Sequence, residues 1–247
     1  MLDNHYGLQP RARGGVNLSS KLRGDVSVID DLHQFGCMRV LFPRGSKTLD
    51  AVLINTSGGV TGGDNIAVVA RVGTGSEMTM TTQAAERAYC AQSGQVGQIT
   101  TKLSIDAGGS LKWLPQELLL FNNSNLNRKL DVSLAVRAKA LLVESVIFGR
   151  AAMGEALTDI TFRDRISITR DGYPIYRDGV SFDGDAAAQL GRPAIGQRMI
   201  AMANIIYAAP DAHTRLPAVR ALMPSTGGAS LLADDLLVGR IMAADSY

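Results

Sequence analysis

Carboxylates are where any chemistry of this chain would have to reside. Asp64 ends the glycine-rich run Gly58-Gly59-Val60-Thr61-Gly62-Gly63, Glu86 and Glu117 follow two threonine- and glutamine-bearing segments, and Glu144 stands between Val143 and Val146 in an apolar stretch. Such oxygen ligands can handle a divalent cation exchangeably, whereas thiolate and imidazole sets hold transition metals tightly. Imidazole is scarce: His5, His33 and His213 lie far apart, in no His-x-x-x-His frame, and read as surface or locally bonded side chains. There is no Gly-x-Ser-x-Gly elbow either. Each carboxylate also has a purely structural reading. Asp64 would cap a glycine turn by accepting backbone N–H groups. Glu144, costly inside an apolar strand, would form an ion pair with Arg137 or Arg150, or else line a wet passage.

The glycine run demands positive φ or close backbone approach. It is not a phosphate cradle, because no Lys-Ser or Lys-Thr follows its second glycine pair, and Gly73-Thr74-Gly75 lacks the third glycine of a dinucleotide fingerprint. The elements that must position these residues are strands. Ile66, Val68, Ala70 and Val72 alternate with residues of another face, as do Leu103 with Ile105, Leu130 through Val136, and Ile166 with Ile168. Gly73/Gly75, Gly108/Gly109, Asp171-Gly172, Asp178-Gly179 and Asp183-Gly184 supply turns. A faint echo recurs at 33 residues, matching Val72 to Ile105, Gly75 to Gly108, Met78 to Leu111, Met80 to Trp113 and Gln83 to Gln116. It fits a solenoid whose rungs stack equivalent apolar positions. Helical spacing appears at Leu216, Val219, Leu222 and Met223, and a short turn is expected over 185–190.

Composition sets the bounds. A chain of 247 residues with 46% hydrophobic and 19% charged side chains folds around a core. A net charge of +2 without a Lys/Arg run argues against nucleic acid or an anionic membrane as partner, and Arg11 and Arg13 read as an exposed basic flank. No stretch approaches the roughly 18 apolar residues of a membrane span, and the first 24 residues lack the apolar core of a signal peptide. A soluble, cytoplasmic chain is expected. No linker divides it, so one domain over 1–247 is expected. Cys37 and Cys90 read as buried free thiols. Trp113 reads as core, and Leu118-Leu119-Leu120-Phe121 as core or as a surface covered by a partner.

Six ordered segments carry a family resemblance. Gly58-Gly59-Val60-Thr61-Gly62-Gly63-Asp64 and, shortly after, Thr81-Thr82-Gln83-Ala84-Ala85 resemble the glycine-rich and Thr-Thr-Gln-Ala-Ala motifs of the UreD (UreH) urease accessory proteins. Trp113-Leu114-Pro115-Gln116-Glu117, Gly149-Arg150-Ala151-Ala152-Met153-Gly154-Glu155, Arg170-Asp171-Gly172-Tyr173-Pro174 and Leu237-Val238-Gly239-Arg240 continue it in the family's order. The resemblance implies a mainly β, β-helix-like stack of strands with a few helices toward the C-terminus. It implies a non-enzymatic scaffold that binds apo-urease and accessory protein F, and through F the nickel-carrying GTPase G. It also implies no tightly bound cofactor, nickel in transit, and GTP used by the partner. Carried onto this sequence, Asp64, Glu144 and Asp178 would line a nickel passage, with aspartate at 178 where the family usually has glutamate. The basic tail of relatives is expected to be shortened here. The readings from other classes are a polysaccharide-active β-solenoid enzyme and a structural solenoid module without a metal role.

Overall fold

The period-two patterning is realised as strands with one buried face, seen in a computed structural model that describes residues 10–245. The chain runs through β1 (Arg13–Arg23), β2 (Val26–Gly36), β3 (Met38–Leu41), β4 (Leu49–Asn55), β5 (Asn65–Val72), β6 (Glu77–Thr82), β7 (Glu86–Ala88), β8 (Gly97–Ile105) and β9 (Ser110–Trp113). It continues through β10 (Leu118–Leu120), β11 (Asn125–Leu134), β12 (Lys139–Phe148), β13 (Ile160–Arg170), β14 (Tyr173–Gly184), α1 (Ala186–Leu190), β15 (Ala201–Ala208), α2 (Ala212–Leu222), β16 (Gly227–Ala233) and β17 (Leu236–Ala243).

Two sheets result, ordered β14-β13-β11-β8-β5-β1-β2 and β16-β17-β15-β12-β9-β6-β4-β3. The chain alternates between them, so β5/β6, β8/β9 and β11/β12 are successive rungs of a β-solenoid of about four turns. Within each sheet the rungs pair in parallel. Antiparallel partners close the stack, with β2 and β14 on the first sheet and β3, β15, β17 and β16 on the second. Such closing strands protect edges that would otherwise present unpaired N–H and C=O groups.

The 33-residue echo is the pitch of one rung. Val72 lies beside Ile105, Met78 beside Leu111 and Met80 beside Trp113, while Gly75 N donates to Ala107 O at 3.1 Å in the stacked turns. On the next rung Trp113 lies beside Leu142, only 29 positions on, which is why the echo fades there. The inward residues of both sheets form one apolar cluster that includes Leu103, Leu130, Phe162, Met80, Leu111 and Leu142. Trp113, Leu118 and Leu120 belong to it as core.

Three expectations need correction. The alternation beginning at Leu130 stops at Leu134; Val136 is exposed in the turn before β12, where Arg137 takes φ +58°. Cys37 and Cys90 are free, but Cys37 is only half-buried and Cys90 is exposed. The small side chains around Cys90 leave it uncovered because its segment is a connection rather than a strand. α2 forms where helical spacing predicts, with Leu216, Val219 and Met223 half-buried, but Leu222 points to solvent because only one side of the helix meets β16 and β17. The short helix α1 matches the turn expected over 185–190, with Asp185 Oδ1 accepting Ala188 N–H at 2.7 Å.

Candidate functional site

The two threonine/glutamine-bearing motifs interrupt the sheet on adjacent rungs. The ladder between β6 and β9 runs to Met80 and Trp113, and a second ladder between β7 and β10 starts at Glu86 and Leu118. Between them lie Thr81-Thr82-Gln83-Ala84-Ala85 on one rung and Leu114-Pro115-Gln116-Glu117 on the next. Pro115 has no N–H to give to a ladder. The two corners stack on each other: Leu114 N donates to Met80 O at 2.8 Å, Gln116 N to Thr82 Oγ1 at 2.9 Å, and Glu86 N to Glu117 O at 2.9 Å. β12 crosses the same region unbroken, pairing with β9 through Leu142 and with β10 from Val146. Glu144 therefore sits where its neighbouring strand has been opened.

A cavity of about 80 Å³ occupies this opening, lined by Thr82, Glu86, Trp113, Pro115, Gln116, Arg128 and Glu144 among others. A second cavity of about 120 Å³ shares Met38, Leu53, Thr82 and Glu86 with it and extends to Gly58, Gln83 and Ala84, which are exposed. The inner one reaches Glu144, the outer one reaches the surface beside the glycine run, and Glu86 lies on the wall they share. Asn55 Nδ2 donates to both oxygens of Glu86, at 3.2 and 3.1 Å, yet burial still raises this carboxyl above its ordinary value.

Beneath the opening is a buried charge network. Arg128 Nη1 contacts Glu144 Oε2 at 2.7 Å, while its Nε and Nη2 donate to Asp164 Oδ1 and Oδ2 at 3.0 and 2.5 Å. The indole N–H of Trp113 donates to Glu144 Oε1 at 2.6 Å. Arg128 and Asp164 are neighbours in the β11–β13 ladder, which fixes the fork against its carboxylate. Burial works against the charge on Arg128, but Glu144 and Asp164 outweigh it and raise its pKa. Burial raises Glu144 from its ordinary value even though Arg128 draws it down. The network continues along the second sheet. Glu144, Asn204 and Arg240 are successive cross-strand neighbours on β12, β15 and β17. Arg240 Nε donates to Asn204 Oδ1 at 2.7 Å, and its Nη2 pairs with Asp178.

Asp64 lines neither cavity, although its charge lies near enough to Glu86 to help raise that carboxyl. Its Oδ1 accepts Ala12 N–H at 2.7 Å and its Oδ2 accepts Thr61 N–H at 2.8 Å, so the side chain ties the glycine turn to the start of β1. Gly63, at φ +88°, needs the freedom of glycine, and a Cβ on Gly59 would stand 2.3 Å from the Tyr89 ring and 2.7 Å from Arg87 O.

Among the expected passage residues, Glu144 and Asp178 lie along one line with Asn204 and Arg240, while Asp64 lines neither cavity. The expected partners of Glu144 are corrected: Arg137 is in a turn and Arg150 pairs with Glu155, whereas Arg128 reaches Glu144 from the facing sheet. Of the motif residues, Thr82, Trp113, Pro115 and Gln116 line the inner cavity, Gln83 the outer one, and Glu117 holds the stacked corners through its carbonyl. Thr81 is half-buried beside them. Sequence reasoning missed Arg128, Asp164, Asn204 and Arg240, although a charged residue at an inward position of an alternating strand marks the first two. His33 stacks on Phe35 and His213 is exposed, while His5 lies outside the described residues. Among the described residues no three His, Cys, Asp or Glu side chains cluster as a metal site, and no helix is long and apolar enough to cross a membrane.

Known proteins share this sequence along its length. A family model described as UreD urease accessory protein matches residues 12–247. The urease accessory protein UreD of Roseobacter denitrificans is 48% identical over 97% of this chain and 88% of its own length. That of Ruegeria pomeroyi is 47% identical over 94% of this chain and 91% of its own. The Agrobacterium fabrum protein of the same name is 39% identical over 97% and 84%. With its motifs built into the two rungs that open around Glu144, the chain belongs to the UreD family of urease accessory proteins.

Proposed function

We propose that this protein acts in the cytoplasm as a scaffold for urease maturation. It holds apo-urease and accessory protein F, recruits the GTPase G through F, and gives nickel an interior route toward the urease active site. It has no chemistry of its own, and GTP is hydrolysed by the partner. Family membership supports the maturation role. The observation that carries the route is the pair of adjoining cavities between the stacked motif corners, with Glu86 on their shared wall and Glu144 at the inner end. Carboxylate and carbonyl oxygens bind a borderline cation weakly enough to release it, which suits cargo rather than a resident cofactor. Asp178 and Arg240 extend the polar line beyond Glu144.

The test is co-expression with the urease subunits and the other accessory proteins in nickel-supplied cells. Urease activity is expected to depend on the chain and to drop at least tenfold with Glu144→Gln, while pull-down of protein F is retained. Activity that is indifferent to the chain overturns the maturation role. Full activity with Glu144→Gln overturns the route alone.

A further inference from the structure

We propose that Arg128 is the resident cation of the interior carboxylate pair and gates it, so that a divalent cation reaches Glu144 only by displacing the guanidinium. This rests on reading the cavity as a nickel passage. The guanidinium occupies the space between the two carboxylates. Glu144 Oε1 is taken by the Trp113 N–H and Oε2 by Arg128 Nη1, while both oxygens of Asp164 are taken by Arg128 Nη2 and Nε. Each oxygen of the pair already accepts one hydrogen bond while the arginine stays, three of the four from Arg128 itself. A dication arriving beside a guanidinium also meets like charge in a poorly solvated site, where repulsion is least screened. With the arginine withdrawn, the same atoms become two carboxylates on facing sheets, charged −2 when ionised and matched to one dication.

The cavity provides somewhere for the side chain to go. Arg128 and Glu86 line the same space, and Glu86 is held by the Asn55 amide and the Arg87 backbone N–H, with the Arg87 charge nearby but no ion pair to it among the described residues. A guanidinium turning from Glu144 toward Glu86 exchanges one buried carboxylate for another. The two carboxylates it gives up are taken by the arriving dication, so the exchange leaves no buried charge unpaired once the metal is bound.

The test compares the purified full chain with Arg128→Met, which removes the charge at similar length, and with Arg128→Met/Glu144→Gln. Nickel chloride is the probe, followed by equilibrium dialysis and by the emission of Trp113, the single tryptophan of the chain. Emptying an occupied site removes the penalty of displacing its occupant. Arg128→Met should therefore bind one nickel per chain at least tenfold more tightly than the wild type and quench Trp113, and the double variant should lose both effects. A folded Arg128→Met that binds no more tightly, or a gain that survives Glu144→Gln, overturns the proposal. If Arg128→Met does not fold, Arg128→Lys is read instead. It keeps the charge without the fork, should bind with intermediate affinity, and overturns the proposal if it equals the wild type. A nickel gain together with normal urease activation by Glu144→Gln refutes the passage and spares the lock. Lost activation without the gain refutes the lock and spares the passage.

Discussion

Asp64 and Glu144 are both buried carboxylates, yet their surroundings give them different work. Asp64 has each oxygen filled by a backbone N–H, one from Ala12 and one from Thr61. Asp64→Ala leaves those donors without acceptors, and about 1–3 kcal/mol of stability should be lost, read as a lower urea midpoint. An unchanged midpoint would refute the capping role. Glu86 predicts a pH effect. Burial raises its folded pKa, so between the ordinary glutamate value and the raised one the native state holds more proton than the unfolded chain, and stability falls as pH climbs through that window. Glu86→Gln should gain in thermal midpoint on the wild type as pH rises there; parallel midpoint curves would sink the assignment. Glu144 was legible in the sequence because a charge inside an apolar strand stands out. Arg128 between Leu126 and Leu130, and Asp164 between Phe162 and Ile166, carry the same mark. What alternation cannot supply is who meets whom. The pairing of Arg128 with Asp164 is a matter of ladder register, and its contact with Glu144 a matter of two sheets facing each other.

Among the elements, strand existence was legible and strand company was not. The alternation at Ile66–Val72 and the 33-residue echo predict stacked rungs, and the register of β5 with β8 and β6 with β9 realises them. The interruption at the motif corners was not legible, because a broken ladder is visible only beside an unbroken neighbour such as β12. Phe162, fully buried on β13, touches the face shared by both sheets. Phe162→Ala should cost about 3–5 kcal/mol, measured by chemical denaturation. A loss under 1 kcal/mol would mean that β13 packs more loosely than described.

Apart from the hairpins β1–β2, β3–β4, β13–β14 and β16–β17, the sheets pair distant segments, since each rung returns to its neighbour only after crossing to the other sheet. Such topologies close long loops before contacts reward them, and refolding should take milliseconds to seconds or longer. Stopped-flow emission from Trp113 would check this, and microsecond refolding would contradict the topology. The in-register stack also makes the molecule a ruler. Glu144, Asn204 and Arg240 stand on three consecutive strands, so the polar line advances by one strand spacing, about 4.8 Å, at each step. Its reach can change only in whole strands. Inserting or deleting residues in the turns would leave it untouched, whereas adding or removing one complete rung would lengthen or shorten it by that single fixed increment.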